Sequence, residues 1–383
     1  MKTENFSVKL FARKAKSFML TTILILFAGV FIVVALLLVW SPGKPEPFFD
    51  KNGNILAGSI SEKIHVNING MEQGMFIQSK DTNNPVLLFL HGGPGMPMYW
   101  LTKQYPTGLE NEFTVVWWEQ RGAGLSYHPD INPETMTAEQ FVSDTVAVTN
   151  YLRERFGKEK IYLMGHSWGS YIGIQAAAQK PDLYYAYIGI GQLSYQIKSE
   201  QMAYAYALEQ YERIGNKKMV KKLEAAPPTN TVPLPRSYEI LRDEYMHGIG
   251  IGTTRDMKSV ITGLFFPSWQ FRGYTLGEKV NLWRGKIFSR SPQFGLWDKM
   301  QMTDMSQKVP ELEVPVYFLH GIYDYTCAYP LALDYFEKIN APLKGFYTFD
   351  QSAHSPIFEE PEKTLKILQE DVLAGKINLA DTP

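Results

Sequence analysis

A serine hydroxyl is a weak nucleophile until its backbone exposes it and a base takes its proton. Gly165-His166-Ser167-Trp168-Gly169 meets the first requirement. It follows Lys160-Ile161-Tyr162-Leu163-Met164, which reads as a buried strand. It precedes Tyr171-Ile172-Gly173-Ile174-Gln175-Ala176-Ala177-Ala178, which reads as a helix. A strand that turns sharply into a helix strains the turn residue and exposes its side chain. Glycines two before and two after let the arms pack closely. This is the G-x-S-x-G nucleophile elbow, and the chemistry it offers is attack of the Ser167 hydroxyl on a carbonyl.

Such an elbow is followed along the chain by an acid and then by the histidine base. Of seven histidines, His65, His91 and His128 precede Ser167. His166 lies inside the elbow and is expected to point away, and His247 falls in a long helical stretch. His320 follows a strand but comes before the acid. His354, in Gln351-Ser352-Ala353-His354-Ser355-Pro356, is alone in following the last core strand, and it is the expected base. Leu319-His320-Gly321-Ile322-Tyr323-Asp324 puts Asp324 in the loop after the preceding strand. There its carboxylate orients the imidazole and stabilises the imidazolium without taking the proton. Asp334 lies on a helical stretch, and Asp350 is too close to His354. Negative charge growing on a carbonyl oxygen needs preorganised N–H donors. The turn His91-Gly92-Gly93-Pro94-Gly95 lets backbone approach a substrate closely. Gly93 and Trp168 amides are the expected oxyanion donors.

These residues must be held by strands and helices, and the pattern supplies them. Lys63–Ile68 alternates and meets the hairpin signal Asn69-Gly70, after which Met75–Gln78 can return. Val86–Leu90 and Phe113–Trp118 are continuous apolar runs, as in strands buried on both faces. Phe141, Val148 and Leu152 share a helical face with Thr145 between Ala138 and Phe156. Tyr184–Ile190 is a further strand, and the whole predicts a parallel α/β core. From about Gln192 to Asp304 strands are missing. Glu200–Gly215 and Lys217–Ala226 read as helices, and Trp269, Trp283 and Trp297 fall in the same region. This predicts an inserted helical cap. Strands resume at Val314–Leu319 and Gly345–Phe349, and a last helix is expected from Pro361 to Ala374.

The N-terminus is different. Phe18 to Trp40 holds no charged residue, long enough for a bilayer, which needs about 20 residues. A secretory signal has a shorter apolar region, about 7–15 residues, with a small-residue cleavage site. Here the run ends Leu37-Leu38-Val39-Trp40, so an uncleaved anchor is expected. Lys2, Lys9, Arg13, Lys14 and Lys16 precede it, against Lys44 and Lys51 after it. The excess places the N-terminus in the cytoplasm and the bulk of the chain outside. Ser41-Pro42-Gly43-Lys44-Pro45-Glu46-Pro47 reads as a semi-rigid tether. The expected division is a basic segment 1–17, a transmembrane helix 18–40, a tether 41–55, a first core part 56–191, a cap 192–304 and a second core part 305–383. The chain is 45% hydrophobic and 20% charged with a net charge of −1, so no basic field points to nucleic acid. Cys327 is the only cysteine, which excludes an internal disulfide. No zinc spacing, H-E-x-x-H or P-loop occurs, so neither cofactor nor metal is expected.

His91–Gly95, Trp118-Glu119-Gln120-Arg121-Gly122-Ala123-Gly124-Leu125-Ser126 and Gly165–Gly169 together resemble the prolyl iminopeptidase family of α/β-hydrolases. The resemblance spans about Lys63 to Ile190 and resumes from Val314. It implies a core of about eight strands, a helical cap, no metal, a triad of Ser167, Asp324 and His354, and release of an N-terminal residue from peptides. The family usually has Asp where this chain has Glu119. Its aminopeptidases hold the substrate amino group with acidic cap residues. Glu200, Glu209, Glu212, Glu239 and Glu244 are open for that role. The expectation is a membrane-anchored serine hydrolase of α/β-hydrolase fold acting on small or short-peptide substrates. An esterase or lipase of the same fold and a non-catalytic surface binder are the alternatives.

Overall fold

The computed structural model describes residues 2–381, with side chains for residue 11 and residues 13–381. The chain begins with helix α1 (Lys2–Val39). Its stretch Arg13–Val39 is long and apolar enough to cross a membrane, and the rest of the protein does not cover it. At 1.5 Å per residue that stretch is about 40 Å long, against about 30 Å of hydrocarbon. Of the expected basic segment, the side chains of Lys2 and Lys9 lie outside the described residues.

Eight strands form one sheet in the order β1-β2-β4-β3-β5-β6-β7-β8. β1 (Ile60–Ile68) and β2 (Met71–Ser79) are a hairpin. Its turn residues Asn69 and Gly70 have φ of 49° and 79°, as a two-residue turn with both central φ positive requires. β2 pairs antiparallel with β4. β3 (Val86–Leu90) and β4 (Thr114–Trp118) are buried along their whole length. α2 (Ala138–Phe156) follows, started by the Thr137 side chain and ended by Gly157 in the left-handed region. Then come β5 (Ile161–His166), α3 (Trp168–Gln179) and β6 (Tyr184–Ile190). All pairings from β4 through β3 to β8 are parallel. Apolar clusters cover both faces of the sheet. This is the α/β-hydrolase arrangement that the alternating pattern predicts.

Between β6 and β7 the described residues form helices and no named strand: α4 (Gln196–Arg213), α5 (Lys217–Glu224), α6 (Arg236–Gly248), α7 (Phe266–Gln270), α8 (Leu276–Ser289), α9 (Leu296–Met302) and α10 (Met305–Lys308). The first three share their own core around Ala207, Tyr211, Leu223, Tyr238 and Tyr245. The ends of the insert are tied together, Tyr195 pairing with Asp304 and Met305 N–H donating to Ser194 O at 2.8 Å. The sheet then resumes with β7 (Val316–Gly321), α11 (Tyr329–Lys338), β8 (Lys344–Phe349), α12 (Pro356–Glu359) and α13 (Pro361–Ile367).

Two segments differ from the sequence expectation. The last helix is not continuous to Ala374: after α13 the backbone widens into a π-turn over Leu368–Val372. The widening occurs where buried Asp371 is drawn inward by Tyr347 Oη at 2.8 Å and the Asn378 and Leu379 amides at 2.9 and 2.8 Å. The segment after α1 is not a free spacer. Pro42 pairs with Thr275, Gly43 N–H donates to Arg272 O at 3.1 Å, and Lys103 bonds Glu46 at 2.8 Å. Pro favours extended chain here, and that extended chain lies along the insert.

Candidate active site

Ser167 sits between β5 and α3 with φ 56° and ψ −122°. A non-glycine residue there is strained, and such strain persists only where surroundings enforce it. Two glycines enforce it. A Cβ on Gly165 would come 2.5 Å from Gly169 O, and one on Gly169 would come 2.0 Å from Leu90 O. Both arms of the turn therefore press together and onto the end of β3. Within the pentapeptide only Ser167 is partly exposed.

Asp324 follows β7 and is fully buried. Its Oδ2 accepts from His354 Nδ1 at 2.8 Å, and its Oδ1 accepts from the Cys327 amide at 2.9 Å. A carboxylate only accepts, so His354 Nδ1 carries a proton, and in the neutral imidazole Nε2 is then the lone-pair nitrogen. Burial alone would raise the Asp324 pKa. His354 and His320 outweigh burial and hold the carboxyl well below its usual range. His320 Nε2 lies 3.1 Å from Asp324 Oδ2 and donates to Cys327 O at 2.7 Å.

The His354 loop is held from two sides. Glu359 accepts the Arg255, Ala353 and Ser355 amides at 2.6, 3.0 and 3.3 Å. Burial pushes its pKa up to about 7 against the pull of those amides. From the other side His166 Nε2 donates to His354 O at 2.9 Å, with ring centroids 4.7 Å apart. His166 does not point idly away from the site, as its place in the elbow suggests. It joins the elbow to the base loop, and burial first, then His354, push its pKa down to about 3. The Ser167 amide donates to Ile190 O at 3.0 Å, and the next residue, Gly191, packs so closely that a Cβ would lie 2.8 Å from His354 Nδ1. Ser167, Asp324 and His354 follow the C-terminal ends of β5, β7 and β8, on the edge where open α/β sheets bind their ligands. His354 and Asp324 are hydrogen-bonded, and among the described residues no hydrogen bond joins Ser167 to His354.

The glycine turn after β3 lies over the elbow. A Cβ on Gly92 would come 3.2 Å from Ser167 Cβ. Gly93 has φ 127°, where a side chain would meet Gly95 N at 2.6 Å. Among the described residues, the Gly93 and Trp168 amides donate to no other group. Trp168 is the first residue of α3, a position whose N–H has no partner within its helix.

Gln120 is a site residue that motif reading passes over. Its side chain donates to His91 O at 2.9 Å and accepts from Trp168 Nε1 at 2.9 Å, while its amide donates to His91 Nε2 at 3.1 Å. One residue so clamps the glycine turn to the elbow. His91 Nδ1 donates to Gly92 O at 2.8 Å, and burial pushes its pKa down to about 4. Arg121 forms a bidentate pair with Asp144 of α2 at 2.8 and 3.0 Å. Glu119 accepts from the Leu125 amide at 2.6 Å and from Tyr274 Oη in the insert. Burial pushes the Glu119 pKa up to about 8 despite these two donors.

The five cap glutamates separate. Glu200 is buried and saturated: Arg242 Nε and Nη2 donate at 2.6 and 3.0 Å, Tyr238 Oη at 2.8 Å and Gln196 Nε2 at 2.7 Å. Glu244 is bonded to Lys222 at 2.6 Å. Glu209 and Glu212 are exposed. Glu239 lines a cleft of about 690 Å³ with Trp283, Lys286, Arg290 and Trp297. None of Ser167, Asp324, His354, Gly93 and Trp168 lines this cleft. α8, which forms one wall of it, ends on the glycine turns, where Ser289 Oγ donates to Gly122 O at 3.2 Å and Gly95 packs on Ser289. No cluster of His, Cys, Asp and Glu suited to a metal occurs among the described residues.

A mostly parallel sheet with a strained serine after β5, a histidine–aspartate pair after β8 and β7, and a helical insert defines an α/β-hydrolase. Residues 85–223 match the family described as alpha/beta hydrolase fold. The chain is 33% identical over 309 residues to the probable aminopeptidase YbaC of Bacillus subtilis, covering 79% of this chain and 93% of that protein. It superposes on the crystal structure of proline iminopeptidase from Mycobacterium smegmatis with a TM-score of 0.56 at 18% identity, over 82% of this chain and 100% of that one. A membrane phospholipase A described as a bacterial virulence factor gives a TM-score of 0.57 at 18% identity, over 94% of this chain and 98% of that one. The chain belongs to the prolyl iminopeptidase-like α/β-hydrolases, and it is a serine hydrolase of that fold.

Proposed function

We propose that this chain is a membrane-anchored aminopeptidase that cleaves short peptides through Ser167, His354 and Asp324. The observation that carries the reading is the 2.8 Å bond from His354 Nδ1 to Asp324 beside a serine strained into an elbow. His354 Nε2 takes the Ser167 proton as Oγ bonds to the substrate carbonyl carbon. Gly93 and Trp168 amides receive the oxyanion. As the tetrahedral adduct collapses, His354 gives the proton to the leaving amine. Water, deprotonated by His354, then attacks the acyl-enzyme, and Ser167 recovers its proton. Asp324 stays ionised throughout and stabilises imidazolium.

A free substrate ammonium needs a carboxylate, and Glu239 is the cap glutamate best suited. It lines the cleft beside α8, and its nearest cation, on Arg236, is 3.6 Å away. The likeness to the Bacillus subtilis relative supports the aminopeptidase reading. A second reading, a carboxylic ester hydrolase, is favoured by the saturation of Glu200 and by the aromatic and cationic lining of the cleft. Aminoacyl amides with free and acetylated N-termini, run beside p-nitrophenyl esters, separate the two. The peptidase loses most of its kcat/KM on acetylation, whereas equal rates favour the esterase. The apolar helix supports anchoring, and the basic residues before it support a cytoplasmic N-terminus with the hydrolase outside.

A further inference from the structure

The chain leaves α1 directly against the insert. Lys279 Nζ donates to Trp40 O at 2.7 Å and to Trp269 O at 2.6 Å. Within about two helical turns of these contacts along the chain, the insert presents exposed apolar side chains. On α8, Leu276, Val280, Trp283 and Ile287 recur every three or four residues and so share one face. Val280 is 41% and Ile287 76% exposed. On the segment entering α7, Ile261, Phe265 and Phe266 are 57%, 37% and 56% exposed. The two segments form one surface: Phe265 packs on Trp283 with centroids 5.0 Å apart, and Trp283 Nε1 donates to Ser268 Oγ at 3.0 Å. Lys258 and Arg284 are exposed beside these segments.

A contiguous exposed apolar surface marks a binding face, and its position selects the occupant. Trp40 closes the apolar helix, so the atoms bonded to its carbonyl sit at the depth of the membrane boundary. Aromatic rings concentrate at that depth. We infer that the face made by Ile261, Phe265, Phe266, Val280 and Ile287 rests in the interfacial layer of the bilayer that holds α1. The inference rests on the membrane-anchor part of the proposed function. It adds a second, peripheral contact that fixes how the hydrolase sits on the membrane. Trp283 and Ile287 also line the 690 Å³ cleft. An amphiphile held in the interface therefore reaches the cleft without crossing water.

The test uses the full-length chain in nanodiscs of phosphatidylglycerol and phosphatidylethanolamine. An environment-sensitive fluorophore is placed on Phe266→Cys, on Ile287→Cys and on Tyr185→Cys. Tyr185 is 47% exposed at the start of β6, on the opposite edge of the sheet, and native Cys327, 2% exposed, is shielded from the reagent. Nitroxide lipid is titrated in, and flotation is read on the same samples. A face buried about 5–10 Å into the interface should be quenched at least about threefold more strongly at positions 266 and 287 than at 185. Equal weak quenching at all three sites, in protein that floats with lipid, overturns the inference and leaves the anchor standing. Weak quenching together with cross-linking between copies at position 266 also overturns it, and assigns the face to a second copy. Protein that does not float overturns the anchor and the inference together.

Discussion

The C-terminal edge of the sheet and the helical insert beside it treat polar groups in opposite ways. At the sheet edge buried hydrogen bonds tie together the segments that carry the proposed catalytic residues. Gln120 joins the glycine turn to the elbow, His166 joins the elbow to the base loop, and Glu359 gathers three amides of that region. In the insert the best-satisfied polar group, Glu200, is bound by Arg242, Tyr238 and Gln196, and Gln196 in turn donates to Thr326 O, in the loop after β7, at 2.7 Å. A buried charge saturated in this way has its acceptor sites filled, and in the proposed function recognition falls to the partly open Glu239. In the proposed function, chemistry thus falls where backbone is clamped and selectivity where side chains line a cleft.

The sharpest way to break this comparison is to damage the sheet edge. Ser167→Ala and His354→Ala should each lower kcat by roughly 10⁴–10⁶-fold, with the double variant little worse, because such groups act as a unit. Additive losses would show two independent roles. Asp324→Asn should cost about 10⁴-fold in kcat with KM little changed, since the wrong imidazole tautomer is then favoured. In the insert the large effect should fall on stability. Glu200→Gln removes the buried carboxylate bonded to Arg242 and leaves Arg242 only Asp243, at 3.8 Å. This should cost about 3 kcal/mol, read by thermal unfolding in detergent. Glu239→Gln should instead raise KM for free-amine substrates about tenfold with normal unfolding, a loss of roughly 1.4 kcal/mol of binding.

The smallest effect expected is one of pH. Burial raises the folded-state pKa of Glu119 from 4.5 to about 8. Between those values the folded chain holds a proton that the unfolded chain has lost, so this contribution is complete below about 4.5 and fades as pH rises towards 8. Glu119→Gln should flatten the fall in Tm between pH 5 and 8 by a few degrees. An unchanged slope would assign the fall to other groups, Glu359 first.

The fold is legible because its strands are nearly unbroken apolar runs between turn signals, and buried parallel strands read that way. Asp324 and His354 are legible from their places after β7 and β8, and the structure brings them to 2.8 Å. The support around them is hidden. Gln120 finds partners 29 and 48 residues away, and His166 one 188 residues away. No local pattern encodes such distances. The cap glutamates were indistinguishable for the same reason. Glu200 looks like any helical glutamate until Arg242, from another helix, closes on it. The residues after α1 read as a spacer because proline content speaks to stiffness and is silent about what the segment touches.

The most direct test is to label the full-length protein with a fluorophosphonate and map the adduct. A single adduct on Ser167, lost in His354→Ala and strongly slowed in Asp324→Asn, is the predicted result. An adduct on any other serine, or labelling of Ser167 that proceeds at the same rate without His354, would contradict the account.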